Sequence, residues 1–81
     1  MSEVRTPSFF DDVVAASGLS PVIAPFTISR LLVRARVSGE LDPRGLERAL
    51  PEIERGLRVY LSDEEVAAAM SRLVALASRD A

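Results

Sequence analysis

Apolar residues recur along this chain at helical spacing, and no segment shows the sustained alternation of a half-buried strand. The clearest run lies in LDPRGLERALPEIERGLRVYL, residues 41–61, where Leu46, Ala49, Leu50, Ile53 and Leu57 fall at i, i+3, i+4, i+7 and i+11. Asp42 and Pro43 supply a cap and a first helical residue. Pro51 interrupts the run without shifting its phase, so the spacing predicts either one kinked helix or two short helices nearly in line. Arg48–Glu52 and Glu54–Arg58 form i,i+4 pairs on the wet side. The last segment, LSDEEVAAAMSRLVALASR, opens with a capping box of Ser62 and Glu65 inside a Leu61/Val66 hydrophobic staple. Its expected core stripe is Val66, Met70, Leu73, Val74 and Ala77, and Arg79 complements its negative end.

The first segment, TPSFFDDVVAASGL, carries both of its ends. Thr6 is the expected N-cap and Pro7 the first helical residue, with Asp11 and Asp12 toward the positive end. Gly18 is the expected left-handed stop, with Leu19 folding back onto Val14. Phe9, Phe10, Val13 and Val14 make its apolar stripe. SPVIAPF follows, in which Ser20 and Pro21 suit a short turn or the start of a kinked helix. A helix is then expected over 25–37, closed near Gly39. LRVYL is the one β-like run, and it has no partner strand. The expectation is an all-α fold, a compact bundle of four or five short helices. It forms one domain over 1–81, ordered from about residue 6 to about residue 78.

The 25–37 helix departs from the ordinary pattern. Ile28, Leu31, Leu32 and Ala35 cluster on one side, and Phe26, Val33 and Val37 on nearly the opposite side, beside Arg30 and Arg34. A peripheral helix needs one apolar face. Two imply either a central helix wrapped by the others or a second face that docks on another chain. Composition supports a contact surface of some kind. Hydrophobic residues make up 48% of an 81-residue chain, more than so small a domain can hide, although part of the excess is alanine.

Composition also excludes chemistry. With no cysteine and no histidine there is no disulfide framework, thiolate site or imidazole base. The acidic groups Asp11–Asp12, Glu52–Glu54 and Asp63–Glu64–Glu65 are explained by helix starts and solvated faces. The serines lack a histidine or lysine to activate them, and four scattered glycines make no phosphate loop. No enzyme, metal, cofactor or small-molecule substrate is expected. All ten basic residues are arginine, and lysine, asparagine and glutamine are absent, a bias that fits GC-rich bacterial coding. No apolar run approaches the ~18 residues of a membrane span, and the polar start is not a secretory signal, so a cytoplasmic protein is expected.

DVVAASGLS is similar to the first helix and turn of helix-turn-helix repressors, and TISRLLVRA to the start of their recognition helix. The resemblance implies DNA binding through Thr27, Ser29, Arg30, Arg34 and Arg36, within residues 20–36. No acid occurs from Val13 through Gly39, while Arg30, Arg34 and Arg36 add positive charge. The spacing departs from that family: Ser20 and Thr27 are separated by six residues, two of them prolines, where about two are usual. Turn length fixes the angle between the helices. A net charge of −2 also argues against indiscriminate binding to nucleic acid. The leading expectation is therefore a non-enzymatic protein–protein interaction or adaptor module, self-associating or binding another protein. Phe26, Arg30, Val33, Arg34 and Val37 are its contact residues. The small DNA-binding regulator is the alternative.

Overall fold

The computed structural model describes residues 8–79, which form four α-helices and no strand. They are α1 (Phe9–Ala16), α2 (Ala24–Arg34), α3 (Pro43–Tyr60) and α4 (Asp63–Ala77). A fifth helix is not present among the described residues. The helices pack as a ring in which α1 and α3 each touch both α2 and α4, and the α3–α4 contact is the most extensive. Inside the ring, Val13, Ile28, Leu46, Ile53, Leu57 and Leu73 are completely buried. Each removes enough apolar surface from water to favour the folded state by about 1.5–3 kcal/mol before chain entropy is charged.

α1 starts later than the sequence suggests. Thr6 and Pro7 lie outside the described residues, and the N-cap is Ser8, whose hydroxyl accepts from Asp11 N while Asp11 accepts from Ser8 N. This capping box satisfies two amide groups reciprocally, and its Asp stands where Glu is usual. Gly18 takes the left-handed conformation, φ +77°, as its position predicts. Leu19 and Val14 are joined less directly than in a Schellman end. The buried Ser17 hydroxyl accepts from Leu19 N at 3.2 Å and donates to Val14 O at 2.7 Å. A side chain thus relays the bond that the backbone ordinarily makes. Arg72 of α4 donates from Nε to Ala16 O, placing a cation at the negative end of α1.

Ser20 anchors the corner before α2. Its carbonyl accepts from both Ile23 N and Ala24 N, so a turn at 21–23 runs directly into the helix. Pro25 sits in the first turn, where a missing N–H costs nothing. α2 ends before Val37 and without Gly39. Arg36 adopts φ +63°, Arg36 N donates to Val33 O, and Val37 N donates to Leu32 O. That is a full Schellman motif with arginine in the place usually held by glycine.

α3 is continuous through Pro51, whose ring faces solvent. Its buried stripe is the predicted one, with Leu50 half-buried. Gly56 lets α2 approach: a Cβ there would lie 2.5 Å from Leu31 Cδ2. Glu54 pairs with Arg58 as expected, but Glu52 pairs with Arg55 and not with Arg48. Arg58 also reaches Asp63, clamping the α3–α4 corner. The Ser62–Glu65 capping box forms, and Val66 is buried with Leu61 packed against the core. Ala69 replaces Val74 in the buried stripe of α4, and Val74 is half-exposed. Arg79, just past the end of α4, holds Asp12 of α1 at 3.2 Å.

Candidate interaction surface

α2 is not wrapped by the other helices. One side, made of Ala24, Ile28, Leu31 and Leu32, is buried between α1 and α3. Helical geometry turns Phe26 and Val33, seven residues apart, to the other side, where they are 77% and 72% exposed. Val22, in the turn ahead of α2, is also largely exposed. An isolated exposed valine or phenylalanine is ordinary on a protein surface. Phe26 and Val33 lie two turns apart on one side of one helix, with Ser29 and Arg30 between them, so this exposed apolar surface is grouped on one face.

The patch has two different flanks. On the α1 side, Val33 and Ser29 border a cleft of 540 Å³, floored by Phe10, Leu32 and Leu41. On the α3 side, Arg30 and Arg34 line a smaller depression with Val59 and Tyr60 from the end of α3. Val59 is as exposed as Phe26, and Tyr60 is half-exposed. The two arginines therefore run as a row between apolar strips, one from α2 and one from α3. Their methylene stems can cover apolar surface while the guanidinium groups stay in water. Arg30, Arg34 and Arg36 form no ion pair with any of the described residues.

Of the five expected contact residues, the structure brings Phe26, Arg30, Val33 and Arg34 onto one outward face and sets Val37 apart. The left-handed turn at Arg36 takes Val37 off the helical path. Its side chain folds back against the core beside Gly45, leaving one edge in the Val33 cleft. The residues suggested for DNA reading are divided. Thr27, Arg30 and Arg34 lie on the α3 side, Ser29 on the α1 side, and Arg36 beyond the helix end. Residues 17–23 separate α1 from α2, and Phe26 and Val33 hold the middle of the outward face. A helix reading a major groove presents hydrogen-bonding groups there.

Val59 and Tyr60 lie in LRVYL, whose β-like composition does not point to an exposed helix face. A usable signal existed in Val59, which falls on the far side of α3 from the Leu46–Leu57 stripe and so has no place in the core. Among the described residues no acidic cluster is arranged to hold a metal ion, and no helix is long and apolar enough to cross a membrane. Searches of family models, of curated proteins and of solved structures return no match to this chain.

Proposed function

We propose that the chain is a non-enzymatic helical interaction module whose contact face is the outward side of α2, extended onto the end of α3. One observation carries this: Phe26 and Val33 stand exposed on a helix whose other side already fills the core, so most of their apolar surface stays in water. Arginines beside an apolar centre match the chemistry of protein interfaces, where aromatic residues and arginine dominate binding energy. The absence of histidine and cysteine from the sequence points the same way, toward binding and away from acid–base or thiolate chemistry.

A photoreactive phenylalanine analogue placed at position 26, and separately at Ala67 on the exposed side of α4, tests the assignment in living cells. A discrete protein adduct, whether with a second copy or with another protein, is expected from position 26 and not from position 67. Equal labelling from both sites, or none from either, overturns it. DNA binding is the competing outcome. Anisotropy titration with mixed-sequence duplex at ~50 and ~200 mM salt would show steeply salt-weakened binding, abolished by Arg30→Glu with Arg34→Glu.

A further inference from the structure

Resting on the contact face just assigned, we propose that its occupant is an acidic amphipathic helix of another protein, not a second copy of this chain. The arginine row decides between them. In a two-fold interface each patch meets itself. With the two copies of α2 antiparallel, that sets Arg30 and Arg34 against their own copies with no acid on α2 to separate them; Glu40, in the turn after α2, lines the cleft on the other flank. Like charges brought together in a contact select against that partner.

A head-to-tail contact between copies fares no better, because the chain's own helical acids are already engaged. Asp11 and Glu65 serve capping boxes. Asp12, Glu52, Glu54 and Asp63 pair with arginines. Asp42 caps α3, and of the acids left among the described residues Glu40, Glu47 and Glu64 stand on three different elements. No second face therefore offers a row of acids to Arg30 and Arg34.

The complementary ligand follows from the spacing. Arg30 and Arg34 are one turn apart, about 6 Å along the axis, and Phe26 and Val33 are about 10 Å apart. A helix with carboxylates at i and i+4 beside apolar residues at i, i+3 or i+4, and i+7 matches both periods. Its apolar stripe lies on Phe26 and Val33, and its acids lie over the arginines, toward Val59 and Tyr60.

The test is to pan a displayed library of random helical peptides on the intact chain, with the Phe26→Ser plus Val33→Ser chain as parallel bait. Peptides retained only by the native chain should be acidic, with apolar residues at helical spacing. Their affinity should fall at least about tenfold on Arg30→Glu with Arg34→Glu, and should weaken as salt rises. Neutral or basic peptides that still depend on Phe26 and Val33 overturn the acidic partner while leaving the contact face standing. A dimer seen by light scattering and dispersed by the serine pair does the same, and makes a second copy the occupant. Peptides indifferent to the serine pair, or no peptide and no dimer, overturn the partner and the face together.

Discussion

At the scale of single residues, two helix ends depend on side chains that do unusual work. Ser17 is buried at the end of α1, and its hydroxyl is the partner of both Leu19 N–H and Val14 C=O. Ser17→Ala removes both bonds and leaves a buried amide unsatisfied, which costs about 1–3 kcal/mol. Urea unfolding should show a lower midpoint with an unchanged slope; an unaltered midpoint would mean that water replaces the hydroxyl. Arg36 holds a left-handed conformation at a cost that glycine avoids. Arg36→Gly is expected to stabilise the chain by about 0.5–1 kcal/mol, and Arg36→Val to destabilise it, since a branched Cβ is worse still at that φ. Neither end could be read fully from sequence. Gly18 announced the first stop, but SGE pulled the second toward Gly39, because nothing in the residue type of Arg36 marks a left-handed position.

At the scale of elements, the four helices were legible where capping chemistry and apolar period agreed, as in Asp42–Pro43 with the Leu46–Leu57 stripe. Ser62–Glu65 is the second such case. Pro51 left two possibilities open, since phase alone cannot say whether a helix survives a missing N–H. It survives because the ring points to solvent, where the unpaired Glu47 carbonyl can bond water. The continuous helix still lacks one of its own bonds, so Pro51→Ala should raise stability by about 1–3 kcal/mol without adding helical signal in circular dichroism. A loss of stability would show that the proline stiffens the unfolded chain more than it weakens α3. The contact face was legible in part. Two opposed apolar sides on the 25–37 helix pointed to Phe26 and Val33, but sequence could not say whether neighbours covered them. Only the ring arrangement, with α2 held between α1 and α3, leaves that side open.

At the scale of the whole molecule, folding and recognition use separate surfaces of the same helix, which makes them separable by experiment. Ile28 and Leu31 face the core, and truncating either to alanine should cost about 2–5 kcal/mol. Phe26 and Val33 face solvent, and their replacement by serine removes little buried surface. Serine, phenylalanine and valine also have similar helix propensities, so α2 itself is not penalised. Phe26→Ser with Val33→Ser should therefore leave the urea midpoint within about 0.5 kcal/mol of the native chain. It should also abolish whatever binds at this face. The direction matters as much as the size. Were the pair to destabilise the fold by several kcal/mol, their apolar surface would be serving the bundle, and the case for a docking face would lose its premise. If stability holds while binding disappears, the high apolar content of this small acidic domain has its explanation: part of it belongs to a partner's interface.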